Sequence, residues 1–294
     1  MVYLGFADEA AGDIEGQIKA TKALGWNQIE ARNVDGVNLH NLPDKEFDRV
    51  AAALEAAGVG VYCFGSAIAN WGKAIDQPFD SSLEEALRAV PRMRRLGTRF
   101  IRVMSFAVLK DREPDDQMEA ERFKRLNRLQ EIFSDAGLIM VHENCMNYGG
   151  MGWTYTLRLL ENVRGLKLTF DTGNPVVAED RSKPKPWPRQ DAWEFYDHVK
   201  EHVAHVHIKD GYYDEAAKKE VFTYPGEGKG QVKKILTDLI TRGYTGGLSI
   251  EPHLSSVFHH LPENTPARAE SMMETYVEYG RRVMAMVDGI KRGA

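Results

Sequence analysis

The chain has 294 residues, of which 43% are hydrophobic and 28% are charged, and its formal net charge at pH 7 is −5. This composition is typical of a globular protein with a sizeable core. It contains no block of Lys and Arg of the kind that binds nucleic-acid phosphates, so nucleic acid is not expected as a partner. The two cysteines, Cys63 and Cys145, are too few for a disulfide framework and fit a reducing cytoplasm. Neither a signal peptide nor a run of roughly 18 apolar residues is seen, so a membrane partner is not expected.

Short apolar runs alternate with helical patterns along the chain. We expect strands at residues 2–6, 27–31, 59–64, 100–104, 138–142, 166–170, 203–208 and 247–250. We expect helices at residues 14–24, 43–57, 83–96, 117–136, 154–162, 192–201, 231–242 and 266–286. Pro43 suits a first helical position, and Gly58, Gly97 and Gly137 follow the last turns of their helices. Eight strand–helix units predict an α/β protein with a (β/α)8 TIM barrel as a single domain over residues 1–294.

The alternative fold is an open, doubly wound sheet. That fold usually has fewer strands and a glycine-rich first turn, and the first turn here, FADEAAGD, is not G-x-G-x-x-G. Two long segments, residues 181–190 (RSKPKPWPRQ) and 212–230, follow the sixth and seventh strands. We expect both to be loops on the catalytic face of the barrel, where active sites form.

Four consecutive strands end on a residue that can bind a hard metal ion. Glu143, Asp171, His207 and Glu251 close strands five to eight, and counting back by twos places all four toward the barrel axis. For each acid alone, capping or salt bridging is the alternative interpretation. Three carboxylates and one imidazole suit Mn²⁺, Mg²⁺ or Co²⁺, and Zn²⁺ remains an alternative. The pattern therefore predicts a divalent-metal site.

The motifs VHEN, FDTGN, HVHIKD and SIEP, in this order, resemble those of the xylose-isomerase-like TIM barrels. That superfamily includes sugar isomerases and epimerases, inosose dehydratases and apurinic-site endonucleases. The resemblance implies that Glu143, Asp171, His207 and Glu251 hold a divalent ion, most commonly Mn²⁺. It also implies that Glu143 and Glu251 are the acid/base pair of a sugar isomerase or epimerase working through a metal-bound enediolate. The implied partner is a small-molecule sugar, and homo-oligomers are frequent among the relatives.

The chain departs from the ketose 3-epimerases at two positions. Asn174 stands where those enzymes have a histidine, and Tyr213 stands where they have an arginine. Both positions contact sugar hydroxyls in that group, so the alternative function is a dehydratase or lyase acting on an inosose or a 3-keto-sugar. The endonucleases need extra early histidines, but none lies between His40 and His142. A non-catalytic, metal-stabilised binding subunit is the remaining alternative.

Further residues are candidates near the site, with packing as the alternative role for each. The candidate substrate contacts are Asn174, His253, Glu227 and Lys209, and the candidates for holding first-shell ligands in place are His205 and Asp210. Glu30, Arg32, Trp71 and Trp153 are expected near the mouth. His142 is expected to be structural, and His259 and His260 are expected to form a solvated pair in a loop.

Overall fold

The computed structural model describes residues 1–254 and 266–293 of the chain, with the side chains of 266–269 left out. The predicted pair His259 and His260 lies outside the described residues. Eight parallel strands form one sheet: β1 Val2–Gly5, β2 Gln28–Ala31, β3 Gly60–Phe64, β4 Phe100–Val103, β5 Ile139–Glu143, β6 Lys167–Asp171, β7 Val203–Ile208 and β8 Gly247–Ile250. Their order is β1-β8-β7-β6-β5-β4-β3-β2. A bridge between Phe6 and Glu30 joins the ends of β1 and β2, so the sheet is nearly closed. The predicted (β/α)8 TIM barrel is confirmed.

Helices connect the strands on the outside of the barrel. They are α1 Ile14–Ala23, α2 Asp44–Ala57, α3 Asp80–Leu96, α4 Glu119–Asp135, α5 Trp153–Asn162, α6 Asn174–Val177, α7 Ala192–Val199, α8 Val232–Thr241 and α9 Pro266–Gly293. Helix α1 begins where the Asp13 carboxylate accepts the Gly16 N–H, and α2 ends at Gly58, whose φ is +61°. Short 3₁₀ turns cover Ala7–Glu9, Leu39–Asn41, Gly149–Met151 and Lys200–His202. None of the described helices is both long and apolar enough to cross a bilayer.

The apolar core lies between the strands and the surrounding helices. Outward side chains such as Met140, Phe170 and Ile250 are fully buried there. The barrel interior, in contrast, carries buried polar side chains, including Glu30, Arg102, His205, His207 and Ser249. Burying a charge lowers the stability of the folded protein unless the charge is paired, so the many polar side chains inside the barrel indicate a functional site.

Residues 212–230, predicted as a plain loop, contain a strand. Asp210–Asp214 pairs antiparallel with Lys219–Thr223 to form a hairpin after β7. The connecting residues 215–218, EAAK, carry no glycine or proline turn signal, and the turn is stabilised by the Asp214 carboxylate, which accepts the Ala216 and Ala217 N–H groups. A smaller hairpin joins Asn33–Val34 to Val37–Asn38. Residues 181–190 do form an irregular loop, in which Glu179 and Arg189 make an isolated bridge.

Candidate metal and active site

Four side chains from adjacent strands meet at the carboxyl end of the barrel. One ligand atom from each of Glu143, Asp171, His207 and Glu251 lies within 4.8 Å of the others. The His207 Nδ1 atom is 3.4 Å from Glu143 Oε1, 3.4 Å from Glu251 Oε2 and 4.0 Å from Asp171 Oδ2. Each of these residues lies within one residue of the carboxyl end of a parallel strand, and the strand ends define the active face of such barrels.

Glu30 orients His207 from below. Its buried Oε2 atom lies 3.0 Å from His207 Nε2 and 2.6 Å from His205 Nε2, so one carboxylate oxygen joins both imidazoles. Burial would lower the pKa of His207, but Glu30 and Glu143 raise it well above its usual range in the metal-free cluster. A bound cation would displace the proton on Nδ1, and a proton kept on Nε2 by Glu30 would then leave the Nδ1 lone pair facing the three carboxylates. Burial would raise the pKa of Glu30, but His207 and His205 hold it well below its usual range. Carboxylate–histidine pairs of this kind fix the tautomer of a metal-binding histidine.

Glu143 is held by a buried arginine and an amide. Arg102 Nη1 donates to Glu143 Oε2 at 2.7 Å, and Asn174 Nδ2 donates to Glu143 Oε1 at 3.1 Å. Burial alone would raise the pKa of Glu143, but Arg102 and His207 outweigh it and leave that pKa at about 2. Glu143 is therefore ionised at neutral pH.

Lys209 places an ammonium group inside the carboxylate cluster. Its Nζ atom is 3.0 Å from Asp171 Oδ2 and 3.3 Å from Glu251 Oε2, and only 4% of the side chain is exposed. Burial raises the pKa of Asp171 to about 7, with Glu251 and Glu143 adding to the effect and Lys209 opposing it. Burial would also raise the pKa of Glu251, but Lys209, His253 and His207 hold it well below its usual range. A bound divalent cation would further favour the ionised form of every carboxylate.

A second set of charges lies on the β1 side of Glu251. Glu9 accepts the backbone N–H of His253 at 2.9 Å and contacts His253 Nδ1 at 2.9 Å. His253 Nε2 is then 3.4 Å from Glu251 Oε1, and Arg32 Nη1 is 3.5 Å from the same oxygen. Arg32 also pairs with Asp8 and Glu9, at 2.8 and 3.3 Å. This network holds the imidazole of His253 against Glu251.

The sequence as a whole identifies the family of this barrel. The chain matches the family described as xylose isomerase-like TIM barrel over residues 18–275. It belongs to that family. No curated protein sequence matches the chain at a significant level.

Solved structures of xylose isomerase-like barrels share the fold along nearly the whole chain. An L-ribulose 3-epimerase superposes with a TM-score of 0.68 at 15% identity, covering 99% of this chain and 96% of that one. The probable 3-DHS dehydratase AsbF of Bacillus anthracis gives 0.64 at 15% identity, covering 93% and 98%. A xylose isomerase-like barrel from Mycobacterium smegmatis, in complex with magnesium, gives 0.65 at 14% identity, covering 97% of each chain. At these identities the likeness shows the fold.

The donor set of this xylose isomerase-like barrel fits a divalent ion. His207 Nδ1 is buried and makes no hydrogen bond, although carboxylates surround it. Two ligands on opposite sides of a Mg²⁺-sized ion lie roughly 4 Å apart, which matches atoms that all lie within 4.8 Å of one another. Three carboxylates and one imidazole are the donors that Mn²⁺ and Mg²⁺ accept. Glu143, Asp171, His207 and Glu251 are thus the residues that would hold the ion.

A cavity of about 320 Å³ opens above this cluster. Its lining includes the predicted residues Glu143, Asn174, Lys209, Glu251 and His253, together with Arg32 and Trp71. The hairpin after β7 contributes Glu220 and Phe222 to the wall. The structure therefore brings two of the predicted metal ligands, Glu143 and Glu251, and three of the four predicted substrate contacts to one cavity.

Four predicted residues lie elsewhere, and one of them, Glu30, was expected near the mouth but is fully buried against His205 and His207. The Asp210 carboxylate accepts four backbone N–H groups, those of Gly211, Gly226, Gly228 and Gly230, so it anchors the glycine-rich loop instead of a metal ligand. The side chain of Glu227, expected near substrate, pairs with Arg282 of α9 at 2.7 Å and is 55% exposed. Trp153 stacks on His198 in the helical layer, 3.7 Å between ring centroids, and not at the mouth. His142, as expected, is held away from the cluster, with Nε2 3.0 Å from Ser105 Oγ.

Two residues of the site, Arg102 and Glu9, are not predicted from the sequence. Arg102 lies in the strand FIRV, where one charged residue among apolar ones is a signal that could have been used. Glu9 lies in a 3₁₀ turn after β1, and only its contact with His253, far away in the chain, reveals it. His205, expected to orient His207 or a carboxylate, contacts Glu30.

Proposed function

We propose that this protein is a divalent-metal-dependent sugar isomerase or epimerase. The observation that carries the proposal is the convergence of Glu143, Asp171, His207 and Glu251 around an unbonded imidazole nitrogen. A divalent ion held there would act as a Lewis acid toward the carbonyl and hydroxyl oxygens of a sugar. Mn²⁺ is our first choice, with Mg²⁺, Co²⁺ and Zn²⁺ as alternatives.

In this proposal Glu143 and Glu251 transfer the proton. They end or follow the outer two of four adjacent strands, with Asp171 and His207 between them, so they flank a substrate from two sides. One carboxylate removes the proton from the carbon next to the carbonyl, which gives an enediolate. Returning a proton to the opposite face gives an epimer, and returning it to the neighbouring carbon gives an isomer. Arg102 and Lys209, which contact the two glutamates, keep both of them ionised.

The second candidate function is a dehydratase or lyase that uses the same enediolate. The buried ammonium of Lys209, 3.3 Å from Glu251, favours it, because a fixed positive charge beside the base can stabilise the negative charge that develops on a departing oxygen. The absence of a ring nitrogen at position 174, which is Asn174, agrees with a substrate other than a simple ketose.

Proton exchange followed by NMR in D₂O tests the proposal. Protein loaded with Mg²⁺ is mixed with ketoses, inososes and 3-keto-glucosides, and Glu143→Gln and Glu251→Gln serve as paired variants. Deuterium next to the carbonyl with the carbon skeleton intact, lost in both variants, is the expected result. Loss of water or of an aglycone would support the lyase instead. Exchange that persists in both variants would exclude the acid/base pair.

A further inference from the structure

The ring of Phe6, directly after β1, contacts charged groups of the site. Phe6 is fully buried, yet it belongs to neither of the hydrophobic clusters that the described residues form. The guanidinium carbon of Arg32 lies 4.4 Å from the centroid of its ring, and that of Arg102 lies 4.9 Å from it. The imidazole of His207 is inclined at 70° to the same ring, with 4.9 Å between the centroids. One buried ring therefore contacts two cations and one of the proposed metal ligands.

Each of these two arginines forms an ion pair with one of the proposed acid/base glutamates. Arg102 Nη1 donates to Glu143 Oε2 at 2.7 Å, and Arg32 Nη1 lies 3.5 Å from Glu251 Oε1. None of the four side chains is more than 15% exposed, so solvent screens these ion pairs only weakly. The Phe6 ring is thus shared by the two ion pairs that hold the glutamates.

Hydrogen bonds alone leave the Arg102 side chain incompletely held. Its Nη2 atom donates to the Gly65 and Ser66 carbonyls, and both distances are 3.3 Å, which is long for such a bond. Its Nε atom is buried and has no hydrogen-bond partner among the described residues. The contact with the Phe6 ring therefore supplies part of the restraint on this guanidinium.

The Phe6 ring is itself fixed by its neighbours. The Phe6 N–H donates to the Ile250 carbonyl at 3.0 Å, and Phe6 also bridges to Glu30 at the end of β2. A Cβ at Gly65 would lie 2.4 Å from Phe6 Cε1, so the absence of a side chain at Gly65 leaves room for the ring. Ile250 directly precedes Glu251, so the hydrogen bond that fixes Phe6 also fixes the strand end beside that glutamate.

An aromatic ring has a specific advantage at this position. Two guanidinium groups beside one ring repel each other, so each of them needs a compensating attraction. A carboxylate there would compete with Glu143 and Glu251 for the arginines and would add another proton acceptor. The face of an aromatic ring attracts a cation without adding net charge or a basic group, and the attraction is strongest where water is excluded. Phe6, with no exposed surface, meets that condition.

We propose that Phe6 is a positioning residue whose ring holds Arg32 and Arg102 by cation–π contacts. Through these arginines the ring keeps Glu143 and Glu251 at the separation that a divalent ion needs. The proposal rests on the metal site proposed above and adds a residue that does not line the cavity. Its consequence is that metal binding depends on the electron density of the Phe6 ring and not only on its volume.

Fluorination of the ring separates electron density from volume, because fluorine withdraws electrons from the ring face and is little larger than hydrogen. Phe6 is replaced, by site-specific incorporation, with phenylalanines that carry one, two and three fluorine atoms. The affinity of the whole protein for Mn²⁺ is measured by calorimetry. We expect the affinity to fall at each step and to be about five-fold weaker with three fluorine atoms, since a desolvated cation–π contact is lost. Phe6→Leu, which removes the ring, should weaken Mn²⁺ binding at least as much.

Phe47 provides the matched control. Its ring also carries a buried guanidinium, that of Arg92 at 4.8 Å, but Phe47 lies on the outer helix α2. Arg92 pairs with Asp44 and not with a glutamate of the site. The same fluorinated series at Phe47 should lower the free energy of unfolding while changing the Mn²⁺ affinity less than two-fold.

An Mn²⁺ affinity that stays the same across the Phe6 series, or that falls equally in the Phe47 series, would overturn the proposal. A loss seen with Phe6→Leu alone would also overturn it, because that result assigns the effect to ring volume. Deuterium exchange into the sugars is followed on the same samples. A graded affinity without exchange on any sugar contradicts the proposed isomerase and keeps the role of Phe6. Exchange with an unchanged affinity does the reverse, and a parent protein that binds no Mn²⁺ contradicts both.

Discussion

Glu30 is a buried residue that acts on the candidate metal site through the side chain of His207. Its carboxylate has no solvent exposure and contacts the Nε2 atoms of both His205 and His207. A charge at this depth is stabilised by its partners, and the direction of the His207 lone pair depends on it. Arg102, on the neighbouring strand β4, holds the Glu143 carboxylate in place through a buried ion pair.

We expect Glu30→Gln to weaken metal binding by about 10- to 100-fold, the range typical for loss of a partner behind a metal-binding histidine. The amide is uncharged, so it makes His207 a poorer donor while keeping the shape of the side chain. Calorimetric titration with Mn²⁺ measures the change. Glu161→Gln, on the exposed side of α5, is the matched control and should bind Mn²⁺ like the parent. An unchanged affinity in Glu30→Gln would show that Glu30 does not support the metal site.

Site residues that follow from the pattern within one strand can be inferred from the sequence. Those that depend on contacts between distant parts of the chain cannot. Glu143, Asp171, His207 and Glu251 each lie at or next to the end of a strand, so strand periodicity alone indicates that they share a face. The contact between Glu30 and His205, in contrast, joins residues 175 positions apart. It depends on how the first strands lie across the barrel from the last ones, and no local pattern encodes that.

At the scale of elements, the loops around the mouth are held by specific side chains. The Asp210 carboxylate anchors the glycine-rich loop by hydrogen bonds. Its Oδ1 accepts the N–H groups of Gly211 and Gly230, and its Oδ2 accepts those of Gly226 and Gly228. A Cβ at Gly228 would lie 2.3 Å from Asp210 Oδ1, so the close approach requires glycine there. The loop order therefore comes from one carboxylate and the glycines that surround it.

We expect Asp210→Asn to lower the free energy of unfolding by about 2–4 kcal/mol. Its amide nitrogen would face two N–H donors, so two charge-assisted hydrogen bonds are lost and their donors stay unpaired. Urea denaturation measures the change. Asp214→Asn is the matched control, because Asp214 uses only Oδ1 to accept the Ala216 and Ala217 N–H groups, and an asparagine oxygen can keep both. Equal losses in the two variants would argue against the anchoring role.

The Trp71 loop is tied to helix α3 by an ion pair of Lys73 with Glu85. Burial would raise the pKa of Glu85, but His40 and Lys73 outweigh it and bring that pKa to about 2. Because the folded pKa lies below the unfolded value, the ion pair stabilises the protein above roughly pH 4.5, and this stabilisation is lost as the pH falls toward 2.

We expect the free energy of unfolding of Glu85→Gln to fall less steeply than that of the parent between about pH 5 and 3. Urea unfolding at each pH checks this, and Glu84→Gln, on the exposed neighbouring residue, should keep the slope of the parent.

The sequence predicts which helices and strands form better than it predicts the residues at which the helices begin. The eight barrel strands follow from hydrophobic runs and glycine stops, and all eight are found, whereas the strands of the two hairpins are not predicted. The start of α3 was predicted at residue 83 but lies at Asp80, and α4 begins at Glu119 instead of 117. Gln117 is occupied by bonds to the Leu109 backbone. Such tertiary contacts override local propensity at helix ends.

At the scale of the whole molecule, the barrel concentrates buried charge at one end. Three carboxylates converge there, and Lys209 offsets only part of their repulsion. An arrangement of this kind costs folding free energy unless a cation completes it. A binding site that is destabilising when empty makes the stability of the protein depend on its ligand.

We therefore expect Mn²⁺ to raise the melting temperature and EDTA to reverse the rise. At a free ion concentration about 100 times the dissociation constant, binding to the folded state alone adds about 2.7 kcal/mol of stability, which is several degrees for a chain of this size. Asp171→Asn removes one ligand charge and should abolish most of the rise. Asp197→Asn, on a residue in α7 whose side chain is 46% exposed, should keep it. A rise in melting temperature of the same size in both variants would place the ion outside the cluster, because Asp171 lies 4.0 Å from His207 Nδ1 whereas Asp197 is on the outer helix α7.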